Sequence, residues 1–225
     1  MFPPTPAPGS SSGQPGFRRS RTRLIVAAAV VAWVVGIAWG LQKIESYAST
    51  PGAELAAPGQ WPGSALVSPR SGRATLVMFI HPQCSCTRAS LAELQAVLEK
   101  THDSVAAWVV VLEPNGMNDE WTHSSTWKSA QAMSGVTVVM DRNGTEADRF
   151  GALTSGHTVL YSASGRLEFS GGITAARGHV GDNTGAQRVV SLVETGKADS
   201  NSHEVFGCGL HDPNPLNDDH AHTAL

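Results

Sequence analysis

The residues best placed to do chemistry are three cysteines. Two share one turn, Phe79-Ile80-His81-Pro82-Gln83-Cys84-Ser85-Cys86-Thr87-Arg88, and the third is Cys208, in Val205-Phe206-Gly207-Cys208-Gly209. A cysteine thiolate is both a redox nucleophile and a soft-metal ligand. Cys84 stands where an apolar run ends and a helical pattern begins. The amides and macrodipole of a helix start favour an anion there and hold a thiol pKa down. Residues i and i+2 do not share a helix face. A Cys84–Cys86 disulfide therefore needs Cys84 to stay outside regular helix geometry, and such a bond is strained and easily reduced. The other arrangement pairs one of them with Cys208. Either way one thiol is left over, in keeping with a mixed-disulfide or resolving role.

The same residues also read as a metal site. His81, Cys84, Cys86 and Cys208 offer one imidazole and three sulfurs, a set suited to copper or zinc. His203, His211, His220 and His222 add a histidine enrichment typical of weak metal capture. Beside Asp212, Asp218 and Asp219 it reads equally as a solvated acidic end. Among His81's neighbours, Pro82 and Thr87 are expected to shape the turn around the sulfurs.

The elements that must hold this turn follow from hydrophobic pattern. Ala74 to Ile80 (ATLVMFI) is a continuous apolar run, the mark of a strand buried on both faces. Thr87 to Lys100 carries Leu91, Leu94, Val97 and Leu98 at helical spacing. Ser104 to Leu112 is a second buried strand, Asp119 to Met133 a helix, and Val136 to Met140 a third strand. A short helix near Thr145 to Phe150 precedes a hairpin, His157 to Tyr161 and Arg166 to Phe169 around Ala163-Ser164-Gly165. A Gly-rich loop, Gly171 to Gly185, leads to a last helix from about Thr184 to Glu194. This order predicts a mixed α/β sheet with helices on both faces.

The chain has 225 residues with a formal net charge of −3, too little basic field for a nucleic-acid partner. Three cysteines are too few for a disulfide-stapled scaffold. The charge is unevenly placed. Four of the sixteen basic residues, Arg18, Arg19, Arg21 and Arg23, lie before position 24, leaving twelve against nineteen acidic ones beyond, a net of −7. Between them Leu24 to Leu41 is free of charge. Eighteen residues at 1.5 Å each reach about 27 Å, against a bilayer core of about 30 Å. The arginines place the N-terminus in the cytoplasm and the rest outside it. A signal peptide fits less well, because Gln42 to Ser49 offers no convincing cleavage site. The expected organisation is a disordered tail over 1–23, a transmembrane anchor over 24–41, a Pro/Gly/Ala-rich tether over 42–72, one domain over 73–199 and a His-containing tail over 200–225.

The strand–Cys–helix junction and the order of elements over Ala74 to Glu194 resemble the thioredoxin-like fold. They are most similar to membrane-anchored, periplasmic TlpA/ResA-like oxidoreductases. Gly135-Val136-Thr137-Val138-Val139-Met140-Asp141 and Leu160-Tyr161-Ser162-Ala163-Ser164-Gly165-Arg166-Leu167 look like two stretches of that group. HPQCSCTRASLAEL and GGITAARGHVGDN look more specifically like the bacterial RedB-type proteins. The resemblance implies a periplasmic thiol–disulfide oxidoreductase with Cys84 and Cys86 catalytic and Cys208 a resolving or third thiol. It implies no cofactor, and a protein thiol or disulfide substrate or a membrane electron donor as partner. Two departures stand out. The usual C-x-x-C is here Cys84-Ser85-Cys86, with Thr87 where the second cysteine would align. Gly156, before His157, stands where the fold's cis-proline would face the sulfurs.

Other singled-out residues have plainer readings. Arg177, His179 and Asp182 on the Gly-rich loop either face substrate or belong to a structural loop in which Asp182 or Thr184 caps the last helix. The loop lacks phosphate-binding spacing. Trp121 and Trp127, with His123 between them, read as packing aromatics, and His102 and Lys128 as surface.

Overall fold

The computed structural model describes residues 16–63, 65–102 and 104–211, and the chain divides into two compact units, Met1–Ser46 and Tyr47–Leu225. The proline- and serine-rich start, His220, His222 and the acidic residues beside them lie outside the described residues. Helix α1 runs Gly16–Ser49 and contains the uncharged run. It is longer than that run because the flanking segments hold good helix formers and no proline; it ends where Thr50 precedes Pro51, a position that disfavours helix. Its Arg21–Ser49 portion is long and apolar enough to cross a membrane.

The second unit is built on one sheet of six strands: β1 Ala74–Ile80, β2 Val105–Glu113, β3 Val136–Arg142, β4 Thr158–Tyr161, β5 Leu167–Gly171 and β6 Ser202–His203. Their order is β3-β2-β1-β4-β5-β6. The first three are parallel, with Ala74 opposite Val105 and Ile80 opposite Val111; β4 runs antiparallel to β1 and β5 antiparallel to β4. Short parallel β6 adds to β5. The helices are α2 Thr87–Thr101, α3 Asp119–Thr122, α4 Ser125–Gln131, α5 Thr145–Arg149 and α6 Thr184–Thr195.

Strand alternation divides the core. Leu76, Met78, Ile80, Val109 and Val111 face Leu91, Leu94 and Val97 of α2 and Val189 of α6. Val77, Phe79 and Val110 face the other way, toward Phe150, Tyr161 and Val67. On that side Trp61 stands edge-on to Phe150 and Tyr161, with centroids 5.4 and 5.1 Å apart. Such pairs add roughly 1 kcal/mol beyond their burial.

Three expectations change. Asp119 to Met133 is two helices, because Ser124 takes an extended backbone and its hydroxyl accepts from the Trp127 amide, starting α4 afresh. The segment read as a tether packs on the sheet from Gly52 onward: the Gly52 amide bonds to Val205 O, Trp61 N to Gly165 O, and Val67 is buried. Residues 200–211, assigned from sequence to a tail, carry β6 and the buried Val205, Phe206, Cys208 and Leu210. Val67 and Trp61 bury against the cluster of Phe79, Phe150 and Tyr161, which the proline- and glycine-rich composition of 42–72 hid.

Candidate sulfur centre

The carboxyl end of central β1 opens into the turn that carries the first two cysteines. His81 ends the strand, and its backbone N–H donates to Ser155 Oγ at 2.9 Å. Cys84 N bonds back to His81 O at 3.1 Å and Thr87 N to Cys84 O at 3.2 Å, so Cys84 sits in a turn just before α2. Cys86 is the N-cap residue, and its carbonyl receives Ala89 N and Ser90 N. Cys84 is thus outside regular helix geometry and Cys86 at its threshold.

Cys208 is delivered from the far side of the sheet. A bridge between Thr154 and Gly209, with Ser155 N to Cys208 O at 2.8 Å and Leu210 N to Leu153 O at 2.8 Å, lays 208–210 against the segment entering β4. Gly207 makes this approach: a Cβ there would lie 1.9 Å from Ser155 O. The Arg177 Nη1 donates to the Gly207 carbonyl from the Gly-rich loop.

These elements bring all three sulfurs within 4.8 Å of one another. Cys84 is 1%, Cys208 5% and Cys86 9% exposed, so the group is largely closed from bulk solvent. Cys84 Sγ stands 2.8 Å from the Sγ of Cys208, a residue 124 positions on rather than its neighbour in Cys84-Ser85-Cys86. That is longer than a disulfide bond of about 2.05 Å, and the three cysteines are free thiols.

Of the three sulfurs, Cys84 is the one whose surroundings favour the thiolate. Hydrogen bonds from Cys208 and then Cys86 push its pKa well below the ordinary thiol range, against the opposing effect of burial. Cys208 is pushed strongly up by its bonds to Cys84 and Cys86 and by burial. Cys86 is also raised: its bond with Cys208 lowers it, but the bond with Cys84, burial and the Cys84 charge outweigh that and a smaller pull from Arg177.

The remaining sequence-derived residues divide between support and absence. Thr87 Oγ1 lies 2.9 Å from Ser155 Oγ and 3.3 Å from His81 O, tying α2 to the strand end. Pro82 O accepts from Ser124 Oγ at 2.6 Å, and Gln83 Nε2 donates to Trp121 O at 2.6 Å. His81 is buried edge-on to Trp121 at 5.2 Å, and its Nδ1 accepts from Gln83 N. It does not join the metal-capable group, which holds the three cysteines alone. Gly156 has φ +93, closed to proline, whose ring fixes φ near −65°. A Cβ there would meet Ser90 Oγ at 2.7 Å. Its amide bonds to Phe79 O, and Phe79 N to His157 O, so it still closes the strand ends beside the turn.

His157 is turned to Ser170 Oγ at 2.9 Å, and burial lowers its pKa to about 4. His203 lies 3.0 Å from Glu204 O and His211 pairs with Asp148 at 2.9 Å; neither reaches the sulfurs. On the Gly-rich loop His179 and Asp182 are exposed. The cap of α6 is Asn183 rather than Asp182 or Thr184: its extended backbone lets Oδ1 accept from Ala186 N at 2.7 Å. Glu93 of α2 fixes that cap by accepting from Asn183 Nδ2 at 2.9 Å and Gly181 N at 2.7 Å. Glu93, Ser155 and Gly207 were not singled out from sequence. Only Gly207, beside a cysteine, carried a signal.

No protein-family model matches the chain, and no curated protein matches it. Among solved structures, an uncharacterized conserved protein from Geobacillus kaustophilus superposes with TM-score 0.51 at 16% identity, covering 74% of this chain and 93% of that one. A hypothetical protein from Sinorhizobium meliloti gives 0.49 at 20% identity, over 73% and 93%. A secreted Mycobacterium tuberculosis disulfide oxidoreductase gives 0.38 at 18%, over 54% and 84%. The fold itself is thioredoxin-like: a parallel β1-α2-β2 unit, an inserted β3-α5, then the antiparallel β4-β5 pair and closing α6.

Proposed function

We propose that the protein is a thiol–disulfide oxidoreductase of the RedB type, held at a membrane by α1, with the unit from Tyr47 outside the cytoplasm. The observation that carries the chemistry is the 2.8 Å approach of Cys84 Sγ to Cys208 Sγ, in surroundings that hold the Cys84 pKa down and push that of Cys208 up. Arg21 and Arg23 before the apolar run support the orientation, since basic residues stay on the cytoplasmic side. An extracytoplasmic site is one where disulfides persist.

Cys84 Sγ attacks one sulfur of a substrate disulfide; that S–S bond breaks and the departing sulfur leaves with the electron pair. A mixed disulfide remains on Cys84. The thiol of Cys208, or of Cys86 at the helix threshold, gives up its proton and attacks Cys84 Sγ, expelling the second substrate thiolate. The substrate gains two electrons and the protein holds one disulfide, which a dithiol protein or membrane donor reduces again. The partner is a protein disulfide or dithiol, because a sulfur site this buried needs the partner to bring its own sulfur to the turn at Gln83 and Ser85, both exposed.

The test is trapping. Full-length protein in detergent is reacted with oxidised glutathione and quenched by alkylation. Cys84→Ser is expected to abolish adduct formation, and whichever of Cys208→Ser and Cys86→Ser removes the resolving thiol to accumulate a glutathione adduct on Cys84 that wild type resolves. Adduct formation by Cys84→Ser at the wild-type rate would sink the assignment.

A further inference from the structure

We propose that Cys84, Cys86 and Cys208 together form a three-coordinate, all-sulfur site for Cu(I). The proposal stands on the arrangement of the sulfurs and does not rest on the exchange reading. Three sulfurs about one ion at roughly 2.3 Å lie about 4 Å apart. Here all three pairs fall within 4.8 Å, and Cys84–Cys208, at 2.8 Å, has to open by about 1 Å. The sulfurs arrive on two separately anchored segments: the turn closed on His81, which carries Cys84 and the α2 N-cap Cys86, and the 208–210 segment bridged to Thr154.

The one-residue spacing that makes a Cys84–Cys86 disulfide awkward is no handicap for ligation. The two sulfurs need only border a common point, not bond to each other. Thiolate donors select soft ions over magnesium and calcium, and sulfurs this buried disfavour a cation that keeps water. Zn(II) in a closed protein site takes four ligands. No other His, Cys, Asp or Glu joins the group among the described residues; His81 is buried with Nδ1 engaged by Gln83. Three sulfurs complete the shell of Cu(I) and leave that of Zn(II) one short.

Ligation and disulfide formation compete for the same atoms. Oxidising Cys84 and Cys208 removes two electrons from the sulfurs and two of three ligands from the ion, which leaves still as Cu(I). Copper occupancy is therefore confined to the reduced protein.

The experiment uses metal-free, reduced, full-length protein in detergent under anaerobic conditions, titrated with Cu(I) against the chromogenic chelator bicinchoninate. The expected result is one Cu(I) per chain, undisplaced by excess Zn(II) and released by diamide, which takes the two thiol electrons. X-ray absorption of the wild-type complex should show sulfur only, at about 2.3 Å. Serine at any one of the three cysteines should weaken binding by at least about tenfold. No retention against the chelator, a nitrogen in the shell, or a two-sulfur shell indifferent to Cys86→Ser would each overturn the proposal. The absorption measurement needs no variant to fold. Glutathione exchange on the same preparation separates the two readings: exchange without copper retention defeats this one alone, and retention without exchange defeats the other alone.

Discussion

Cys84 and His157 show how burial and partners assign charge in opposite ways at two buried positions. Cys84 is buried, yet hydrogen bonds from Cys208 and Cys86 hold its pKa below the ordinary thiol range. His157 is buried with Nε2 on Ser170 and no partner for Nδ1 among the described residues, so a second proton has nowhere to bond and the ring stays neutral. A folded pKa of about 4 against an ordinary 6.5 means the unfolded chain takes up the proton first as pH falls. Stability from this residue is complete above pH 6.5 and is lost progressively down to about pH 4, on the order of 3 kcal/mol in all. Urea melts across that window should show the slope, and His157→Gln should flatten it. An unchanged slope would mean that other groups govern acid sensitivity.

At the scale of elements, the sulfur centre depends on backbone contacts that side chains cannot replace. Gly207 lets the 208–210 segment lie against Ser155, where a methyl group would sit 1.9 Å from the carbonyl. Gly207→Ala should displace Cys208, lowering stability by more than about 1 kcal/mol and sharply reducing the yield of Cys84–Cys208 disulfide under mild oxidation. A normal yield would show that the segment yields instead. This is also where sequence and structure part. The β1-turn-α2 junction was legible, because a buried apolar run, a turn and a 3.6-residue pattern each leave a periodic trace. The bridge of Thr154 to Gly209 leaves none: it is one residue pair between irregular segments. Ser124 was illegible as a cap for a related reason, since its break depends on a bond to Pro82 O 42 residues away.

For the molecule as a whole, the boundary at Ser46/Tyr47 predicts that a chain beginning at Tyr47 folds without the apolar helix. Its far-ultraviolet spectrum and cooperative melt should match those of the second unit in the full protein; a non-cooperative melt would refute this. A bond between Cys84 and Cys208 joins residues 124 apart. In the chain-entropy account, a loop of that length restricts the unfolded state by about 5 kcal/mol, whereas a bond within one turn contributes only about 1.5 kcal/mol. The oxidised protein should therefore melt well above the reduced one. A much smaller rise would point to Cys84–Cys86 instead.

On the proposed extracytoplasmic topology, that separation of 124 residues also sets an order of events as the chain is made and translocated. Cys84 and Cys86 emerge together, while Cys208 follows only after the whole sheet-forming stretch between them. In an oxidising compartment the two early thiols meet each other, and any free disulfide, long before their distant neighbour exists. The tight spacing that makes their mutual bond strained and easily reduced then protects biogenesis: a premature link opens readily, and the late-arriving sulfur finds its place still vacant.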